Sequence, residues 1–140
     1  MIWGTFALAF AAAFTGASFY VNWVEQPARL KLDDGALLGE WGPSDSRGVA
    51  LLAAFALVAA IAGFTAYFES QDVRWAFGAL VMIVSWPYAF FVMTPLDNQI
   101  RGLRGSDVGA ARALVRQLGL VESGLTGLGV AAVALFVWAI

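Results

Sequence analysis

The sequence predicts an all-α integral membrane protein, a four-helix bundle with a short interfacial helix in the first loop. Two observations carry this. Hydrophobic residues make up 61% of the 140-residue chain and charged residues only 13%, against about 25% charged in average soluble chains. The charges are also segregated: stretches 2–24, 48–68, 75–95 and 118–140 hold no charged side chain apart from Glu122. A helix rises about 1.5 Å per residue, so roughly 20 residues cross about 30 Å of hydrocarbon. Each stretch is long enough, and the chain reads as a single four-span domain over 1–140.

The elements follow in order. Nothing basic precedes the first span, and its apolar run exceeds the roughly 7–15 residues of a signal-peptide core, so it is expected to be retained. Residues 25–47 carry eight charges, among which Leu37, Leu38 and Trp41 are spaced to form the interfacial helix. "ESQDVR" at 69–74 is a tight turn, which makes the second and third helices antiparallel neighbours. In "SWPYAFF" of the third span, Pro87 cannot donate to the carbonyl of Ile83, and a kink is expected. Asp107 is placed to cap the last helix, which would then begin before the membrane. Thr5, Ala9, Ala13 and Ala17 in the first span, and Gly119, Ser123, Gly127 and Ala131 in the last, form rows of small residues. Such rows let helices approach closely, and the two spans are expected to pair.

Seven of the eight basic residues lie in the first and third loops. The positive-inside rule places those loops in the cytoplasm and both termini outside it. The expected location is a bacterial inner membrane. With no cysteine, disulfides and thiolate ligands are excluded. With no histidine, the commonest metal ligand and general base is missing too, and no metal site or cofactor is expected. The single lysine, Lys31, lies outside the spans and excludes a Schiff base in the bilayer core. A net charge of −2 without any basic run gives no reason to invoke nucleic acid.

The polar residues near the membrane form a short inventory on one membrane face. Tyr20, Asn22, Trp23, Glu25 and Arg29 follow the first span, Trp41 and Arg47 precede the second, and Asp97 follows the third. Trp86 sits one residue before the proline of the third span, and Glu122 lies about one turn inside the fourth. Residues at span ends commonly anchor a protein to lipid headgroups. The alternative is a pocket at the mouth of the bundle, and Glu122 separates the two, because a carboxylate in a span faces a partner or a cavity. The partners expected are the lipid bilayer and a flat hydrophobic small molecule, a quinone or polycyclic aromatic. The competing reading is a non-catalytic accessory or scaffold subunit of a larger membrane complex.

"GASFYVNWVEQPARL", Trp41 with "SDSR" ending at Arg47, "RWAFGA" and "WPYAFFVMTPLDNQI", in that order and spacing, resemble the small membrane family that includes the anthrone oxygenases. The resemblance covers roughly residues 10–104. It implies four membrane helices and, from the few members with an assigned activity, oxidation of polyketide anthrones to anthraquinones by dioxygen. Where that family often opens its last helix with spaced Trp, His and Arg, this chain has Leu118, Glu122 and Leu125. Such chemistry needs an apolar cavity, a base to deprotonate the anthrone methylene, and a cation beside the enolate oxygen. Glu122 is the candidate base and Arg47 or Arg29 the candidate cation. Trp23, Trp41 and Trp86 are candidates to stack on the rings.

Overall fold

The computed structural model describes residues 2–103 and 109–140, so the expected cap Asp107 lies outside the described residues. Four helices are long and apolar enough to cross a membrane: α1 (Ile2–Arg29), α2 (Asp34–Ser70), α3 (Val73–Arg101) and α4 (Ala111–Ala139). The protein is an all-helical, four-span integral membrane bundle. The spans form a ring: α1 and α3 each pack against both α2 and α4, while the diagonal pairs scarcely touch.

Local chemistry sets the helix ends. Asp33 caps α2 by accepting from the Ala36 amide at 2.8 Å. α2 closes at Gln71, whose left-handed φ of 58° lets its amide reach the Tyr67 carbonyl at 2.7 Å. Asp72 then caps α3 through the Arg74 amide at 3.0 Å. This two-residue connection enforces the expected antiparallel α2–α3 pair. Arg74 also donates to the Trp138 carbonyl at 2.6 Å and lies 5.2 Å over the Trp138 ring, which fastens the end of α4 to the turn.

The interfacial helix is not a separate element. Residues 34–47 are helical but continue straight into the second span, giving α2 a length of 37 residues. At about 1.5 Å per residue this is roughly 55 Å, well beyond the hydrocarbon thickness. The reason is burial: Leu37 and Trp41 are 0% and 2% exposed and share a stripe with Asp45. They face the bundle and not the headgroups. Arg112 of α4 braces this end, donating to the carbonyls of Leu30 and Leu32 and pairing with Asp34 at 3.4 Å.

Two helices change pitch at the same place in their sequence. α1 contains a π-helical turn at Val21–Glu25, and α3 contains one at Ala89–Met93. Each ends two residues before a proline, Pro27 or Pro95, whose ring would press on the carbonyl four residues back in a regular helix. The wider turn bonds Gln26 to the Val21 carbonyl and Thr94 to the Ala89 carbonyl. In α3 the expected irregularity therefore falls just after Pro87, which stays inside a helical run. A π turn inserts one residue and rotates everything beyond it by about 100°.

α1 and α4 do pair, but of the two small-residue rows only Gly119 is fully buried. The buried stripe of α1 is Gly4, Ala7, Ala11, Phe14 and Ser18, and Thr5 and Ala9 are exposed. On α4, Gly119 and Gly129 are buried, whereas Ser123, Gly127 and Ala131 are exposed. Gly129 receives Phe14 and Thr15 closely enough that a Cβ there would overlap them. The Ser18 and Thr126 hydroxyls bond at 2.7 Å, and Asn22 donates to Thr126 at 3.4 Å. Polar bonds and close packing substitute for a hydrophobic drive between helices in lipid.

Candidate functional site

The site is built around a buried arginine. Arg29 is 4% exposed, and its guanidinium meets four groups. Nη2 donates to Glu25 and Ser44 at 3.0 Å each, Nη1 donates to Gln26 at 3.2 Å, and Nε pairs with Glu40 at 2.9 Å. Ser44 in turn donates to Glu25 at 3.2 Å, and Gln26 reaches the Val115 carbonyl at 2.6 Å. One cation thus ties α1 to α2, and the Gln26 amide ties α1 to α4. Gly119 leaves room for it: a Cβ there would meet the Gln26 amide at 2.5 Å and displace it.

A second layer is acidic. Asp45 of α2 accepts from Arg101 of α3 at 3.3 Å, and Arg101 also lies 4.9 Å over the ring of Trp41. The carboxyl groups of Asp45 and Asp97 lie close enough to influence each other, and the Oδ1 of each is buried without a hydrogen-bond partner among the described residues. Across from them, Glu122 is 9% exposed and makes no hydrogen bond or ion pair among the described residues. These carboxyls meet at the end of the bundle formed by the first and third loops.

Two cavities flank this layer. The inner one, about 20 Å³, is lined by Asn22, Glu25, Arg29, Asp45 and Glu122 among others. It has room for about one water. The lateral one, about 260 Å³, lies between α2 and α3 and is walled by Phe14, Trp86, Phe90, Met93 and Leu125, with Asp97 at its polar end. Val49, Leu52, Met93 and Leu125 are common to both. Trp86 and Phe90 are 44% and 65% exposed on the outer side, so the lateral cavity opens toward lipid.

No family model, curated protein or solved structure matches the chain.

The candidate residues divide among five places. Asn22, Glu25, Arg29 and Glu122 line the inner cavity. Trp86 and Asp97 line the lateral one. Tyr20 and Arg47 line an outer groove with Glu25 and Ser44. Trp41 is buried beneath Arg101, and Trp23 is 71% exposed, stacked on Phe19 at 5.7 Å away from both cavities. Sequence reasoning missed Glu40, Ser44, Asp45 and Arg101. Their signal was helical spacing: Leu37, Trp41 and Asp45 fall at successive i, i+4 positions once 34–47 is joined to the second span. Among the described residues no group of acidic side chains has the arrangement to hold a metal ion.

Proposed function

We propose that this membrane protein binds a flat hydrophobic molecule in the lateral cavity. The observation that carries the reading is the cavity itself, whose walls are aromatic and aliphatic and whose one end is a carboxylate. Its volume of about 260 Å³ lies near the lower limit of ordinary small-molecule pockets, about 300 Å³. That suits a molecule of two or three fused rings. Such a ligand dissolves in the bilayer and would enter sideways past Trp86 and Phe90. Binding is the part of the reading with geometric support. Of the groups considered for oxidation of an anthrone, Glu122 and Arg47 line other spaces, and Asp97 is the carboxyl beside the ligand. The distribution of basic residues orients the acidic layer toward the cytoplasm, with both termini outside.

The test is a fluorescence titration of the purified protein in lipid nanodiscs with anthracene, reading energy transfer from tryptophan. Ala53 lines the cavity, so Ala53→Phe should fill it and weaken saturable binding by about tenfold or more, a loss of about 1.4 kcal/mol. Equal, non-saturating signals from both proteins would mean partition into lipid and would overturn the reading. Purification of the protein only within a much heavier complex, with no saturable binding, would favour the accessory-subunit alternative.

A further inference from the structure

The lateral cavity is unusual in which polar atoms it leaves available. Three side chains in its wall can donate a hydrogen bond, and each is already committed to a backbone carbonyl. Ser85 donates to Met82 at 2.6 Å, Thr94 to Ala89 at 3.2 Å, and the Trp86 indole to Ala53 at 3.2 Å. A hydroxyl carries one hydrogen and an indole one, so none of these three side chains has a hydrogen left for a ligand. Pro87 and Pro95 remove two backbone N–H groups from the same stretch. Asp97 completes the polar lining; its Oδ1 is itself buried and has no hydrogen-bond partner among the described residues. Behind it stand the Asp45 carboxyl and Glu122, and the nearby guanidinium of Arg101 is engaged with Asp45, Ser46 and the Trp41 ring.

We propose that the cavity selects an aromatic ligand bearing a polarised hydrogen-bond donor, which it presents to Asp97, and discriminates against ligands whose polar atoms only accept. The inference rests on the binding reading above and narrows it. A hydroxyl on a ring or a protonated amine satisfies Asp97. With Asp97 ionised, a quinone carbonyl meets only acceptors, and it must give up its hydration with nothing in return. That asymmetry is the strong one in recognition, because an unsatisfied buried polar group costs more than a made hydrogen bond contributes. The two donor types share this chemistry and differ in charge. An ammonium would also offset the carboxyl excess of the Asp45, Asp97 and Glu122 layer.

Four probes on one ring system separate the outcomes: naphthalene, naphthol, naphthylmethylammonium and naphthoquinone, each titrated into the nanodisc-embedded protein with Ala53→Phe as the blocked reference. The expected result is that naphthol, the ammonium, or both bind about tenfold more tightly than naphthalene or naphthoquinone, the worth of one hydrogen bond to a charged acceptor. Preference for naphthol alone assigns a neutral hydroxyl ligand, and preference for the ammonium alone assigns an organic cation. Asp97→Asn adds an N–H donor at constant size and should raise naphthoquinone to at least the level of naphthol. If that variant does not fold, the wild-type series decides by itself. Equal binding of all four overturns donor selection and leaves hydrophobic binding standing. Saturable binding of none overturns both readings.

Discussion

Asp45 on α2 and Asp97 on α3 bring their carboxyl groups together at the boundary between the inner and lateral cavities. They are 52 residues apart in sequence and come from helices joined at the opposite end of the bundle. Two carboxyls this close repel if both are ionised, and Arg101, at 3.3 Å from Asp45, supplies the neighbouring positive charge. Placing them beside an apolar cavity makes the pair a polar end for whatever occupies it.

Arg29 holds α1 to α2 through Glu25, Glu40 and Ser44. Replacing it with methionine leaves two carboxylates without their cation. Breaking a buried ion pair from one side costs about 3–5 kcal/mol, and the partial exposure of both glutamates favours the low end. Thermal unfolding in detergent should show this loss. Adding Glu25→Gln and Glu40→Gln to Arg29→Met should recover part of it. A stable single variant would show that Arg29 is solvated at the headgroups.

Gly78 faces Phe136, whose ring a Cβ at that position would overlap, and Phe136 is stacked on Trp75 at 5.7 Å. Gly78→Ala should therefore destabilise the bundle by about 1–3 kcal/mol, the usual cost of overpacking. Gly16 has open space around it, and Gly16→Ala should be neutral or slightly stabilising because alanine is the better helix former. Equal melting temperatures for the two variants would contradict the packing described at Phe136.

Pro95 follows by two residues the π turn that aims the Asp97 side of α3. With Pro95→Ala the steric reason for the wide turn is gone. Relaxation to a regular helix would rotate Trp86 and Asp97 relative to each other by about 100°. The expected outcome is a folded protein with weakened saturable binding of the naphthalene probes. Unchanged affinity would show that the turn is held by its neighbours and not by the proline.

The α2–α3 turn carries a pH dependence of definite sign. The Arg74 guanidinium and the Arg74 backbone amide both donate to Asp72 and hold its carboxyl below the usual carboxylate range. A depressed carboxyl stabilises the fold above its unfolded value, about pH 4, and the stabilisation is lost as pH falls through the lower folded value. Wild type should therefore exceed Asp72→Asn in melting temperature at neutral pH, and the difference should shrink below about pH 4. A difference that persists undiminished in acid would remove this role from Asp72.

Orientation can be read by labelling. Gly35 and Glu69 are exposed at opposite ends of α2. In intact cells, Gly35→Cys should resist a membrane-impermeant thiol reagent and Glu69→Cys should react. The opposite pattern would reverse the charge-based topology.

The four spans were legible from sequence because the bilayer imposes a length and an apolar composition that no other element meets. The 69–74 turn was legible because too few residues remain there for any other connection. The gathering of Glu25, Arg29, Asp97 and Glu122 at one end of the bundle was also legible, since alternating span directions bring the ends that carry them to the same side. Other features depended on helix rotation and packing. Tertiary burial of Leu37 and Trp41 is what stands residues 34–47 upright as the start of α2. The π turns before Pro27 and Pro95 set which side chains beyond them face inward. Periodicity alone cannot register that shift, because one inserted residue rotates the rest of a helix by about 100°. For the same reason only the assembled bundle decided that Asp45 meets Asp97, that Glu40 pairs with Arg29, and that Trp23 points away while Trp86 walls a cavity.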